Sequence, residues 1–257
     1  MKPDSNRLMA VDAAAIVIAS AAICLFSRQL LLMTILIPVL FLGRCALVAA
    51  LAKTEDINLK AEFCFLLICT VLGAFNDWNS VDRQGIYRYT VPHYFGFSTI
   101  PLWMLLFWGL ILRFIARLAR WGALRPPATA SNRVLSLESG AMKITVELLL
   151  VLATRLSVFR LWDDPLWSWL PFLLALAVFL LACSPTMHDL KLLLIFLFGG
   201  PLIEIAYIQL GGLHKYDLGL IGGVPLWIVL WWLLAVLVWK DLAYRLEARL
   251  RKICSKV

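Results

Sequence analysis

Long apolar runs with few charges are the feature that most limits how this chain can fold. The run from Leu30 to Leu51 contains one charged residue, Arg44. About 20 helical residues cross a hydrocarbon core about 30 Å thick, and this run is apolar on every side, whereas a strand of a membrane barrel alternates. Because lipid cannot bond backbone N–H and C=O groups, the runs predict an all-α polytopic membrane helix bundle.

Composition agrees with a membrane location and argues against nucleic acid as a partner. Hydrophobic residues make up 62% of the 257 residues and the mean hydropathy is +0.87, whereas ordinary soluble domains are about 45–50% apolar. The net charge of +8 arises from cations that crowd next to the ends of apolar runs, where Lys and Arg orient helices in a membrane. No nucleic-acid partner is therefore expected.

The charge pattern divides the chain into eight predicted transmembrane spans. They are Val11 to Phe26, Leu30 to Leu51, Ala61 to Trp78, Ile100 to Arg117, Met142 to Phe159, Trp167 to Cys183, Leu190 to Tyr207 and Val224 to Trp239. An even number of spans puts both termini on one side, and that side then carries 18 of the 24 Lys and Arg residues. The positive-inside rule predicts a multi-pass protein of the cell inner (cytoplasmic) membrane with both termini cytoplasmic.

Three arginines follow the fourth span at helical spacing. Arg113, Arg117 and Arg120 fall on one helical face, which predicts a helix that continues into water. They are interpreted either as contacts for anionic lipid headgroups or as a stop-transfer anchor. A second cationic run, which begins at Lys240, extends the eighth span in the same way.

The chain contains an internal repeat at a spacing of 127 residues. The matched pairs are Arg28 and Arg155, Gly73 and Gly200, Asp77 and Glu204, Gly85 and Gly212, Tyr87 and His214, Arg88 and Lys215, and Tyr89 and Tyr216. A shared Pro-Leu-Trp then follows at a spacing of 124, and the series predicts a first repeat over 1–124, a linker over 125–137 and a second repeat over 138–257. Because four spans are an even number, the two four-helix repeats are predicted to be parallel, with their outer loops converging near one axis.

The Pro-Leu-Trp motifs have a local explanation. Proline in the first turn of a helix loses no hydrogen bond, so Pro101 and Pro225 are predicted to start helices. Trp103 and Trp227 then fall at headgroup depth, where indoles anchor helices at the interface. The alternative is that these tryptophans line a site.

The acidic residues of the repeat are the candidate catalytic groups. Glu204 lies within an apolar span, and an intramembrane carboxylate usually pairs with another group or marks a functional site. Three alternatives are open for Glu204: a structural pair with Arg28 or Arg155, a role in catalysis or ligand binding, or a position on the surface. Asp77 is its counterpart in the first copy and is expected in the wetter mouth of a loop. The predicted substrate-binding residues are Tyr87, Arg88, Tyr89, His214, Lys215, Tyr216, Arg28 and Arg155.

Signatures of metal and cofactor chemistry are missing from the sequence. The three histidines are scattered without ligand spacing, so no metal site is expected. There is no nucleophile elbow, phosphate-binding loop or zinc-protease motif, and no cofactor is predicted.

One stretch resembles a known family. Glu204, Gly212, Tyr216, Leu218-Gly219, Gly223-Val224-Pro225-Leu226, Ile228, Leu230 and Trp231 together resemble the polytopic carotenoid hydratase family over about thirty residues around Glu204 to Trp231. That family hydrates isoprenoid chain ends in the membrane. The resemblance implies an acid that acts on an apolar chain, with Glu204 in the position of the proton donor.

Two classes of function are carried forward. The first is an integral membrane protein with a cavity near the outer leaflet that binds, and in its enzymatic version modifies, a lipid or isoprenoid through acid/base chemistry. The alternative is a non-catalytic membrane scaffold or subunit that packs against partner membrane proteins. A transporter is disfavoured because the acids cluster toward one face.

Overall fold

The protein is an all-α membrane helix bundle with one small sheet. The computed structural model describes residues 5–94, 98–124, 140–183 and 185–255. The helices are α1 (Asn6–Phe26), α2 (Leu30–Leu51), α3 (Leu59–Trp78), α4 (Leu102–Leu118), α5 (Gly140–Leu161), α6 (Leu170–Cys183), α7 (Met187–Gln209) and α8 (Leu226–Cys254). The strands are β1 (Tyr87–Tyr89) and β2 (His214–Tyr216). The predicted linker, 125–137, lies outside the described residues.

A helix occupies the position of each predicted span. The bounds of α2 are those predicted, whereas α8 continues past the predicted end at Trp239 to Cys254. Among the described residues, five helical segments are long and apolar enough to cross a membrane: Asn6–Phe26, Leu30–Leu51, Leu59–Arg83, Met187–Gln209 and Leu226–Cys254. The chain is thus a membrane-embedded protein of several spans, while the number eight stays a prediction.

Side-chain caps and prolines set the starts of several helices. The side chains of Ser5 and Asn58 each accept a hydrogen bond from the backbone N–H of the residue three positions later. Thr186 forms a reciprocal capping box with Asp189 at the start of α7. Pro101 and Pro225 each lie immediately before the first helical residue. This is one position earlier than predicted, and proline costs no helical hydrogen bond in either place.

Close contacts between a glycine and a tryptophan join α3 to α4 and α7 to α8. A Cβ atom on Gly73 would lie 2.5 Å from Trp108, and one on Gly200 would lie 2.6 Å from Trp232. These glycines therefore permit α3 to pack closely on α4, and α7 on α8.

The predicted interfacial anchors are buried instead. Trp103 is 1% exposed and Trp227 is 2% exposed, because their side chains pack into the apolar core between helices. The anchor interpretation is therefore wrong for both residues, and Trp227 lines a cavity described below.

The two loops that were predicted to converge meet through the antiparallel pair β1 and β2. Tyr87 lies opposite Tyr216, Arg88 opposite Lys215, and Tyr89 opposite His214. In the predicted repeat, Arg88 and Lys215 are counterparts and pair with each other. Tyr87 pairs with the counterpart of Tyr89, and Tyr89 pairs with the counterpart of Tyr87. A two-fold axis through the central pair would give this register, and the duplication itself stays a prediction.

A buried group of charges lies at the opposite end of the bundle. We call it the ionic cluster; its members are Asp12, Arg44, Glu62, Arg113, Arg117, Arg120 and Glu247. Arg113 Nη2 lies 2.8 Å from Glu62 Oε2, and Arg44 Nε lies 2.7 Å from Asp12 Oδ1.

The arginines after the fourth span therefore do not extend into water. Arg113 and Arg117 are each 1% exposed, Arg117 pairs with Asp12, and Arg120 pairs with Glu247. The interpretation as lipid-headgroup contacts or a stop-transfer anchor is wrong, because carboxylates from α1, α3 and α8 surround these guanidinium groups.

Candidate functional site

Asp77 is buried beneath the two strands. It lies near the end of α3 and is 0% exposed. Tyr89 donates its hydroxyl hydrogen to Asp77 Oδ2 at 2.8 Å, and the Tyr87 hydroxyl donates to Oδ1. The expectation of a wet loop mouth is wrong, because the chain folds back after α3 and places β1 over this carboxylate.

Two glycines make the return of each loop possible. Gly85, before β1, has φ +61°, and Gly212, before β2, has φ +57°. The left-handed region is strained for residues with a Cβ, which explains why glycine occupies both positions. The turns bring each strand back over the end of the preceding helix.

Glu204 is paired with a histidine and not with an arginine. Its Oε2 lies 3.1 Å from His214 Nε2, and both side chains are buried. In the part of the chain that the structure describes, neither Arg28 nor Arg155 forms an ion pair with Glu204. The predicted arginine pair is therefore wrong, and in the predicted repeat His214 beside Glu204 is the counterpart of Tyr87 beside Asp77.

Four aromatic side chains enclose the two carboxylates; we call Tyr87, Tyr89, His214 and Tyr216 the aromatic cluster. The ring centroids of Tyr87 and Tyr216 are 5.2 Å apart, as are those of His214 and Tyr216. Side chains alternate along a strand, so all four point inward from β1 and β2.

The tyrosines of the aromatic cluster are neutral phenols. Burial raises the pKa of Tyr87, Tyr89 and Tyr216 well above the ordinary value of 10. They therefore act as hydrogen-bond donors at neutral pH. Within the described residues, the Tyr216 hydroxyl has no hydrogen-bond partner, which leaves it free for a ligand.

The two strand cations lie away from the acids. Arg88 and Lys215 are exposed on the outer face of the sheet, and Arg88 Nη2 lies 3.6 Å from Asp217 Oδ1. Arg28 is exposed on the turn after α1, next to Gly212, where an added Cβ would lie 2.9 Å from its Nη2. Of the four predicted basic residues, Arg155 alone lines a cavity.

The first cavity lies between α1, α4 and α7 and has a volume of about 480 Å³; we call it the α1–α7 cavity. From Met104 to Leu118 its α4 wall covers about 21 Å at 1.5 Å per helical residue. Its walls are mostly apolar, and Glu204 and the aromatic cluster lie at one end. The exposed lining residues Val17, Ile195 and Gly199 open it toward the lipid side of the bundle.

The second cavity lies between α3, α5 and α8 and has a volume of about 280 Å³; we call it the α3–α5 cavity. Leu72 and Leu148 line it and are 39% and 48% exposed, so it also opens sideways. Trp108 and Trp232 line both cavities and lie between them. The residues at the polar end that are shared by both cavities are Tyr87, Glu204 and Tyr216.

Sequence reasoning missed two polar residues of the α1–α7 cavity. Ser20 and Tyr207 line it, and their hydroxyl oxygens are 2.7 Å apart. Both could have been found in the sequence. Ser20 is a polar residue within an apolar span, and Tyr207 follows Glu204 by three positions and thus lies on the same helical face.

No metal ligand set is found in the described ranges, where no three His, Cys, Asp or Glu side chains are grouped to hold a metal ion. Comparisons with protein family models, with curated proteins and with solved structures gave no match for this chain.

Proposed function

We propose that this integral membrane protein binds a lipid or isoprenoid chain in the α1–α7 cavity and performs acid/base chemistry at the chain end. The observation that carries the proposal is the position of Glu204 beside His214 at the polar end of an apolar cavity. Ligand sites are mostly apolar cavities with a few convergent polar groups, and this cavity has that composition.

The length and opening of the cavity favour a chain-like substrate. A wall of about 21 Å accommodates an extended hydrocarbon, and the opening at Val17 and Ile195 gives lateral access from the hydrocarbon region of a membrane. A substrate that is insoluble in water would enter by this route and place its end against Glu204.

The reaction that fits these groups best is addition of water to a carbon–carbon double bond at the chain end. The Glu204 carboxyl gives its proton to one carbon, the other carbon becomes cationic, and a water oxygen bonds to it. The proton that this water releases returns to the Glu204 carboxylate, either directly or through His214, and so restores the acid. His214 next to Glu204 stabilises the negative charge that the carboxylate carries between the two proton transfers.

The aromatic cluster supports a route through a cation. Aromatic rings attract a cation over their faces by about 0.5–2 kcal/mol each, and Tyr87, Tyr89 and Tyr216 lie around the two carboxylates. Asp77, held by two phenols, adds a second negative group at the same end. The resemblance to the carotenoid hydratases suggests this reaction class, with Glu204 as the donor.

The same proposal assigns a location and an orientation. The cation distribution favours the inner membrane with both termini cytoplasmic, so that the aromatic cluster lies toward the outer leaflet. Neither assignment is needed for the chemistry.

The proposal is tested by Glu204→Gln, which keeps the shape of the side chain and removes the transferable proton. Membranes with the wild-type protein are expected to contain lipids that have gained one water, and Glu204→Gln is expected to lose at least about 99% of this product. The readout is lipid mass spectrometry, with deuterium from heavy water incorporated at the protonated carbon.

The matched control is Glu55→Gln, because Glu55 makes no side-chain hydrogen bond or ion pair among the described residues. This variant should retain full activity. Turnover by folded Glu204→Gln at the wild-type rate would overturn the catalytic proposal, and unchanged lipids with co-purified partner proteins would favour the scaffold alternative.

A further inference from the structure

We propose that the α3–α5 cavity is a second binding site, which takes a single-chain amphiphile with an anionic carboxylate or phosphate head. The proposal rests on the position of Arg155 at the polar end of an apolar cavity that opens between α3 and α5. The site does not depend on any reaction at Glu204.

Arg155 is held in place without a carboxylate. Its Nη2 donates to Ser80 Oγ at 2.6 Å, and its guanidinium carbon lies 5.1 Å from the ring centroids of both Phe159 and Trp231. The hydroxyl and the two rings orient the group but carry no negative charge. Within the described part of the chain, no carboxylate oxygen lies within 4.0 Å of this guanidinium.

The ionic cluster shows what this protein does with its other buried arginines. Arg44, Arg113 and Arg117 each contact at least one carboxylate at hydrogen-bond distance. A cation within the membrane region is costly unless it is paired. Arg155 is half-buried, and Asp77 acts on it only from beyond 4.0 Å, so an anion at hydrogen-bond distance is expected from a ligand.

The shape of the cavity specifies the rest of the ligand. Apolar side chains from α3, α4, α5 and α8 form most of its walls, and the opening at Leu72 and Leu148 faces the lipid side. The volume of about 280 Å³ is smaller than that of the α1–α7 cavity. One chain therefore fits better than two, with its head at Arg155.

The carboxylates of the shared polar end restrict where an anionic head can bind. Asp77 lies beneath Tyr87, so an anion at the tyrosine end would meet its negative charge, whereas a neutral chain end there can accept the proton of Glu204. Arg155, with Ser80 beside it, is the position where a carboxylate or phosphate gains charge-assisted hydrogen bonds. The two cavities thus differ in ligand: a neutral chain end at Glu204 and an anionic head at Arg155.

The experiment uses the full-length protein in neutral detergent and a palmitate analogue with a diazirine at the end of its chain. Photolabelled peptides are mapped by mass spectrometry. We expect labels on the parts of α3 and α5 that line the cavity, around Leu72 and Leu148. Unlabelled palmitate and lysophosphatidic acid should compete, whereas palmityl alcohol, acetate and inorganic phosphate should not.

Two substitutions on α5 form a matched pair. Arg155→Gln should reduce this labelling at least about tenfold, the effect of losing a charge-assisted hydrogen bond. Arg160→Gln removes an exposed cation from the same helix and should leave it unchanged. Arg155→Lys keeps the positive charge and should retain part of the labelling. If Arg155→Gln does not fold, Arg155→Lys and the competition series on the wild type test the inference in its place.

Several results would overturn the inference. Equal competition by palmityl alcohol would show that the head is not recognised, and competition by inorganic phosphate alone would assign Arg155 to a free anion. Retained labelling in folded Arg155→Gln would show that Arg155 does not bind the head of the ligand. Photolabelling and the hydrated lipid are measured separately on the wild-type protein, so labels without the hydrated product, or the product without labels, distinguish failure of the proposed reaction from failure of this second site.

Discussion

Helix α3 carries a buried carboxylate near each end, and the structure neutralises the two in different ways. Glu62 forms ion pairs with Arg44, Arg113 and Arg117 within 3.1 Å, whereas Asp77 accepts hydrogen bonds from two phenol hydroxyls. The two residues are about 22 Å apart along the helix at 1.5 Å per residue. The same helix therefore joins a fully charged environment to one made of neutral donors.

The space beside each carboxylate differs as much as the partners do. The pocket next to Glu62 has a volume of about 10 Å³, roughly the least that holds one water. The polar end that holds Asp77 and Glu204 adjoins cavities of about 480 and 280 Å³. The ionic cluster therefore holds helices together, while the aromatic cluster leaves Glu204 room to meet a ligand.

The largest expected effect is on stability at the ionic cluster. Glu62→Gln leaves three buried guanidinium groups with one carboxylate fewer, and removing one partner of a buried ion pair costs about 3–5 kcal/mol. Unfolding in mixed micelles of SDS and a mild detergent measures the loss. Glu55→Gln is the control, and a loss below about 1 kcal/mol in Glu62→Gln would show that the cluster is not structural.

A smaller effect is expected at the other end of α3. Tyr89→Phe removes one of the two phenols that donate to Asp77, and an unsatisfied buried acceptor costs about 1–3 kcal/mol. The same unfolding measurement applies, with Tyr244→Phe as an exposed control. A loss equal to that of Glu62→Gln would contradict the distinction between the two ends.

The packing that bounds the cavities is tested by two adjacent glycines. Gly200→Ala places a methyl group against the Trp232 ring and should cost about 1–3 kcal/mol through overpacking. Gly199→Ala meets nothing within 4 Å and should be neutral or stabilising by up to about 1 kcal/mol, because alanine favours helix. Equal stability of the two variants would show that α7 is free to move away from α8.

The helices and the meeting of the loops could be predicted from the sequence. Apolar runs bounded by charges determine where helices lie in lipid, so the bounds of α2 were predicted to the residue. The spacing between Tyr87 and His214 predicted that the loops are equivalent, and the strand pairing brings them together.

The partners of the buried charges could not be predicted. Arg113 and Arg117 have the spacing of an exposed helical face, and their burial depends on Asp12 and Glu62, which belong to other helices. Asp77 was expected in water because its chain neighbours are polar, and its burial results from the loop that returns over it. In each case the outcome depends on contacts between residues distant in the chain, which local pattern does not encode.

The smallest expected effect is an alkaline loss of stability at the aromatic cluster. Burial raises the pKa of Tyr216 in the folded protein above the ordinary value of 10. Its contribution to stability is thus fully present below about pH 10 and declines as the pH rises above that value, because the unfolded chain releases the proton first. The Tyr216 hydroxyl has no hydrogen-bond partner among the described residues, so Tyr216→Phe should cost little at neutral pH.

The difference in melting temperature between about pH 8 and about pH 11 measures this effect. The wild type and Tyr94→Phe, which changes an exposed tyrosine, should show the same decrease, whereas Tyr216→Phe should show a smaller one. The ionic cluster consists of carboxylates and arginines, whose ordinary pKa values lie below about 5 and above about 12, so it does not contribute to a change between these pH values. An unchanged decrease in Tyr216→Phe would therefore mean that this phenol is already ionised or solvated in the folded state, and the aromatic cluster would not be the dry, neutral environment that distinguishes it from the ionic cluster.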